Sequence, residues 1–254
     1  MTLAAHNLTL RVPGRTLVRE LSFELAPGAC CALLGRNGAG KTNVLLALAG
    51  LRACDAGHVS LAGQALHELS REETARRIGV LLQEEHESFW GTVEQYIALG
   101  CMPRDGHWFE SASTASGAVR DAIETMELVK HAQQPYRTLS GGERQRARIA
   151  QLLVQDPGIF LLDEPLTHLD LGHQVLAMER FAALARAGRI VLMILHEPLW
   201  ASRYCGQALL LYDSARFCYG AAPDVLTRER LEALYGCRLE SIALHDRTLL
   251  LPSV

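Results

Sequence analysis

No stretch of this 254-residue chain is apolar for long enough to cross a bilayer. Its longest apolar runs, such as Ala29 to Leu34 and Ile190 to Leu195, fall far short of the ~20 residues a spanning helix needs. Any membrane role would therefore work through a partner. A basic excess is also missing: Lys and Arg number 25 against 28 Asp and Glu, the formal net charge is -3 and the pI is near 6.4. That balance argues against a mainly electrostatic grip on nucleic acid or anionic lipid, so nucleic acid is not an expected partner. The seven cysteines are odd in number and form no CxxC pair, which points away from a disulfide framework or a zinc site. Reduced, mostly buried thiols are expected. Met1 to Leu10 shows neither a basic start with an apolar core nor a small-residue cleavage site, so a cytoplasmic location is expected.

What is present is an apolar fraction of 49% with 21% charge, enough for a real core. Short Leu/Val/Ile-rich runs alternate with longer amphipathic segments, the pattern of an α/β fold with a sheet covered by helices. Strands are expected at Thr2 to Val12, Leu17 to Leu25, Ala29 to Leu34, Gly57 to Leu61, Ile78 to Leu82, Ile159 to Leu162 and Ile190 to Leu195. Helices are expected from Lys41 to Gly50 and from Gln174 to Ala187, the latter ended by Gly188. From Glu84 to about Leu139 the chain is polar and strand-poor, reading as a helical insertion with helices at Val93 to Leu99 and Ala118 to Lys130. Ser111 to Gly117 reads as a mobile surface loop.

Gly35-Arg36-Asn37-Gly38-Ala39-Gly40-Lys41-Thr42 matches GxxxxGK[ST] between an apolar strand and a helix, the context a phosphate-binding loop requires. Glycines let backbone N–H groups close around phosphate oxygens, and the helix N-terminus adds partial positive charge. In that reading Lys41 reaches the β- and γ-phosphates of ATP and the Thr42 hydroxyl sits on Mg²⁺. Ile159 to Leu162 is followed by Asp163, Glu164 and Pro165, an apolar strand delivering two carboxylates to its C-terminal end. Asp163 is expected to hold magnesium through water and Glu164 to deprotonate the attacking water. Alone, the pair could equally be an acidic turn meeting solvent.

Leu139-Ser140-Gly141-Gly142-Glu143-Arg144-Gln145 resembles the LSGGQ-type signature of ABC ATPases, with Glu143 at the fifth position. Ser140 and Glu143 also form a capping box, which accounts for those two residues but not for the paired glycines. The resemblance implies a homodimer packed head to tail, in which Ser140, Gly141, Gly142 and Glu143 close over the nucleotide of the other subunit. It further implies that Gln83 is the Q-loop glutamine touching magnesium and water, that Asp170 lies in the D-loop of the dimer seam, and that His196 is the switch histidine at the γ-phosphate. Taken singly, a glutamine or histidine at a strand end is more often structural; order and spacing along nearly the whole chain give these their meaning. The implied layout is one ABC ATPase domain. Residues 1–83 and 159–254 form the core with an antiparallel β subdomain, and 84–158 form the helical part.

Leu169 to Gln174, His196-Glu197 and Ala201 to Cys205 are similar to ATPase subunits of importers for iron-siderophores, haem and cobalamin. That resemblance implies integral-membrane permease subunits, a periplasmic or extracellular substrate-binding protein acting indirectly, and a position on the inner face of the cell membrane. Glu84 to Gly100 would carry the groove for the permease. Departures from the pattern are Asn43 in place of a second hydroxyl at the α-phosphate, Val12 in place of an adenine-stacking aromatic, and Glu197-Pro198 after His196. The alternatives are a soluble ABC ATPase acting in assembly or repair, and a module that binds ATP without hydrolysing it.

Overall fold

The computed structural model describes residues 1–83, 89–102, 112–244 and 247–253, with side chains given for all of these but 112–116, 242–244 and 247–252. Leu3–Val12 (β1) and Arg15–Leu25 (β2) pair antiparallel, and Ala56–Leu61 (β4) and Gln64–Ala65 (β5) complete a sheet in the order β2-β1-β4-β5. A second, six-stranded sheet contains Cys30–Gly35 (β3), Ile78–Leu81 (β6), Ile159–Asp163 (β7), Ile190–Ile194 (β8), Gln207–Leu211 (β9) and Phe217–Ala221 (β10). Its order is β10-β9-β3-β8-β7-β6, parallel throughout except for β10. Leu239–Leu244 (β11) and Arg247–Pro252 (β12) form a hairpin.

The central parallel strands β3, β7 and β8 are apolar and buried on both faces, as covered parallel strands require. Period-two alternation sends Cys30, Ala32, Leu34, Phe160, Leu162, Val191 and Met193 into one core. The intervening Cys31, Leu33, Ile159, Leu161, Ile190 and Leu192 enter the other, shared with the antiparallel sheet. Phe160 and Phe181 are fully buried, and truncating either to Ala removes about 3–5 kcal/mol of stability.

The helices are Lys41–Leu48 (α1), Arg71–Arg77 (α2), Val93–Ala98 (α3), Ala112–Thr125 (α4), Gly141–Gln155 (α5), Leu171–Arg186 (α6), Pro198–Tyr204 (α7), Ala222–Val225 (α8) and Arg228–Tyr235 (α9). The expected strands are found to within two residues at either end, and α6 starts three residues before the expected Gln174 because the Asp170 side chain caps it. Gly188 follows α6 with φ +89°, the left-handed stop expected of it. Two expectations are corrected. The stretch read as a loop from Ser111 to Gly117 is helical from Ala112, since its Ala and Ser residues cost a helix little and Val119, Ala122 and Ile123 anchor α4 in the core beside α5. The same helix ends at Thr125 rather than Lys130, because Glu127 takes φ +54° and Val129–His131 tightens into a 3₁₀ turn. All seven cysteines are free; three are buried, three partly buried and Cys237 exposed.

Candidate active site

The register of the parallel sheet brings the candidate residues together. β3, β8, β7 and β6 are consecutive neighbours, with Leu33 beside Ile194, Ile194 beside Asp163 and Leu81 beside Leu162. Their C-terminal ends therefore share one level, and the phosphate loop, His196, Asp163-Glu164 and Gln83 all leave from it. They converge on a cavity of 340 Å³ lined by Asn37, Gly38, Gly40, Lys41, Thr42, Asn43, Gln83, Glu164 and His196.

Within that cavity, Lys41 Nζ donates to the Gly35 and Arg36 carbonyls at 2.8 and 3.1 Å, which folds the loop around the ammonium. Burial lowers the Lys41 pKa, while the nearby Glu164 and Asp163 carboxylates pull it back up. Thr42 Oγ1 donates to Asp163 Oδ2 at 2.8 Å. Asp163 is almost fully buried, and its Oδ1 has no hydrogen-bond partner among the described residues. Burial raises its pKa against the opposing Thr42 hydrogen bond. A hydroxyl and a carboxylate side by side, one carboxylate oxygen buried and unpartnered, fit a hard divalent cation with oxygen ligands.

Glu164 is held from both sides: Gln83 Nε2 donates to Oε2 at 2.9 Å and His196 Nε2 lies 2.6 Å from Oε1. Its backbone sits at φ +52°, a left-handed position that a non-glycine residue occupies at a cost of about 1–3 kcal/mol. Asn43 Oδ1 accepts from Arg52 Nη1, which ties that amide to the end of α1. Val12 closes β1 opposite Arg15, and Arg15 and Arg36 both reach Asp213 at 3.5 Å.

The signature residues stand outside this cavity. Ser140 caps α5 in a full capping box: its Oγ accepts from Glu143 N, while Glu143 Oε2 accepts from Ser140 N at 2.7 Å. Glu143 Oε1 lies 3.3 Å from His131 Nε2. The capping hydrogen bonds from Ser140, backbone first, hold the Glu143 carboxyl below the usual range, and His131 adds to this. Packing also bears on the paired glycines: a Cβ on Gly142 would meet the His168 carbonyl oxygen at 2.8 Å, so a side chain there would push into backbone. Asp170 is likewise outside the cavity, accepting from His173 N at 2.9 Å and from His173 Nδ1 at 2.8 Å. Two residues that sequence reasoning missed link the signature helix to the cavity rim. Gln145 Nε2 donates to the Pro165 carbonyl at 2.9 Å, and Arg148 donates to both Gln145 Oε1 and the Leu82 carbonyl. Polar residues buried inside a helix were the available signal.

A cavity of 950 Å³ lies elsewhere, between the end of α1 and α2, and contains none of the candidate residues. The 340 Å³ site is the smaller of the two but holds the chemistry, so it is taken as the active site.

A phosphate loop at the switch of an open parallel sheet, with a bracketed carboxylate across from it, defines a nucleoside-triphosphate-binding protein. Residues 18–167 match the family model described as ABC transporter. The chain is 39% identical to the hemin import ATP-binding protein HmuV of Bordetella pertussis, covering 96% of this chain and 95% of that protein. It is 35% identical to the ferric enterobactin transport ATP-binding protein FepC of Escherichia coli K12, over 93% and 88% of the two chains. In fold it resembles a solved ABC transporter of metal-chelate type in an inward-facing conformation, with a TM-score of 0.84, 24% identity, and coverage of 100% of this chain and 98% of that one. The chain belongs to the ABC transporter family, as an ATP-binding, ATP-hydrolysing subunit.

Proposed function

We propose that this subunit hydrolyses MgATP as a homodimer and so drives import of a metal chelate of the haem or iron-siderophore type through separate permease subunits, fed by a substrate-binding protein. The cargo class comes from the names of the relatives. Among those relatives, nothing favours work in assembly or repair. The observation that carries the ATPase reading is Glu164, clasped by Gln83 and His196 at the mouth of the phosphate-loop cavity.

The roles follow from position. Backbone N–H groups from Gly35 to Thr42 cradle the phosphates, and Lys41, already desolvated, supplies a fixed positive charge. Thr42, and Asp163 through water, would hold magnesium, with Gln83 beside them. When bound, that ion neutralises charge on the phosphate oxygens. Glu164 takes the proton of the attacking water, and Gln83 and His196 fix the direction of its lone pairs. Ser140 to Glu143 lie outside their own chain's cavity, and so the signature cap would complete the site of a second copy, with Asp170 at the seam.

No helix among the described residues is long and apolar enough to cross a membrane, so anchoring would come from permease subunits docked from the cytoplasmic side. The permease groove expected within Glu84 to Gly100 lies partly outside the described residues; of the remainder, Trp90 is 79% exposed and stacks under Arg137 at 4.9 Å. We read the chain as a single ABC domain with residues 84–158 as its helical part. The test is reconstitution with the neighbouring permease and binding protein in vesicles. Loaded binding protein should raise ATP turnover and move chelate inward, and turnover indifferent to every such permease would overturn the importer reading.

A further inference from the structure

Buried cysteines are commonly inert space-fillers, and Cys31 behaves as one: it is fully buried, and desolvation pushes its pKa above the usual thiol range. Cys30 and Cys205 differ. Their sulfurs lie 3.7 Å apart, each residue keeps 7% of its surface exposed, and both are free thiols. β3 and β9 are neighbouring parallel strands in which Cys31 stands beside Gln207, and Cys205 lies two residues before β9, at the C-terminal end of α7, next to Cys30 at the root of β3. The two sulfurs, 3.7 Å apart, need close only to the ~2.05 Å of a disulfide bond. Beside them opens a cavity of 460 Å³ whose wall includes Cys30, Tyr204 and Gln207, with the exposed Arg186 at its edge.

We infer that Cys30 and Cys205 form a peroxide-oxidisable dithiol site, reached through this cavity and closing to a reversible disulfide. Cys30 lines the cavity and Cys205 does not, so Cys30 is the sulfur a peroxide meets first and the attacking one; its contact with Cys205 draws its pKa below the usual thiol range against the opposing effect of burial. The Cys30 thiolate attacks a hydroperoxide oxygen; an S–O bond forms, the O–O bond breaks, and the departing hydroxide or alkoxide takes a proton to leave as water or an alcohol. The Cys205 sulfur then attacks Cys30, forming the S–S bond as the S–O bond breaks, and its proton leaves with the hydroxide as water. Two thiols have lost two electrons in total, and one hydroperoxide has gained them. The bond ties the root of the strand that carries the phosphate loop to the end of α7, the helix that begins two residues after His196.

The test treats the full chain with hydrogen peroxide, unfolds it, alkylates it and maps the peptides by mass spectrometry. Two of the seven thiols should become unreactive, with a Cys30–Cys205 cross-linked peptide lighter by two hydrogens, and dithiothreitol should restore both. Alkylatable Cys30 and Cys205 alongside an oxidised Cys237 would overturn the site. In Cys205→Ser, which keeps shape and polarity, peroxide followed by dimedone should label Cys30; an unlabelled Cys30 would remove it as the attacking sulfur.

Discussion

His196 Nε2 stands 2.6 Å from Glu164 Oε1, while Gln83 donates to the other oxygen of the same carboxylate at 2.9 Å. The three residues leave the ends of β8, β7 and β6, so the clasp reports the mutual register of three strands. A base oriented by fixed partners loses little entropy in reaching the transition state, and here the oriented carboxylate stands on a left-handed backbone, φ +52°.

Glu164→Gln keeps the shape and the Gln83 contact but removes the proton acceptor. Turnover should fall by roughly 10²- to 10⁴-fold, with ATP still bound and the protein held as a dimer. Phosphate release and gel filtration with MgATP check this; an unchanged rate would discard Glu164 as the base.

Lys41→Ala should act on binding rather than on chemistry alone. The ammonium is buried and held by the Gly35 and Arg36 carbonyls, so its loss removes a fixed charge from the phosphate cavity and two internal hydrogen bonds from the loop. ATP affinity by calorimetry should drop at least about tenfold, equivalent to about 1.4 kcal/mol. Equal affinity would count against the loop as the nucleotide site.

Much of this site was legible in the sequence because its residues lie at strand ends flanked by unmistakable apolar runs: Ile159 to Leu162 before Asp163, and Ile190 to Leu195 before His196. Local patterning singled out Lys41 and Thr42, and the phosphate loop in the same chain gave the acidic pair Asp163-Glu164 its meaning. What stayed hidden depends on long-range packing. Nothing near Gly142 in sequence announces that the His168 carbonyl occupies the space a side chain would need. The first turns of α4 read as loop because low-complexity Ala/Ser runs suit both loop and helix, and only docking of Val119, Ala122 and Ile123 beside α5 decides between them. α2 could have been found from Ser70 and Glu73, which form a full capping box.

Arg148 is a positioning residue. It joins the signature helix to the Leu82 carbonyl, one residue before Gln83, and to Gln145, which in turn holds Pro165, one residue after Glu164. Arg148→Ala should cost about 1–3 kcal/mol by stranding buried partners, a fall of several degrees in Tm at roughly 2–4 °C per kcal/mol. Hydrolysis should fall more than ATP affinity does. Arg148→Lys should not rescue it, because an ammonium cannot reproduce the two-directional fork. An unaltered Tm in the alanine variant would show that the link contributes nothing.

Glu143 offers a pH-dependent prediction. Ser140 donates to its carboxylate from both backbone and hydroxyl, and His131 lies 3.3 Å away, so its folded pKa lies below the ordinary glutamate value of 4.5. A depressed acid stabilises the fold fully above the unfolded pKa and loses that contribution as pH falls through the lower folded value. Glu143→Gln keeps an oxygen that can accept from Ser140 but carries no charge at the positive end of α5. At pH 7 the variant should be less stable by about 0.3–1 kcal/mol, the usual worth of a carboxylate at a helix N-terminus. That gap should hold down to the ordinary glutamate range, then shrink toward zero as acid protonates Glu143 in the folded protein. Paired urea titrations across this range measure it. A gap constant with pH would mean that the cap works through hydrogen bonding alone, with no contribution from the charge.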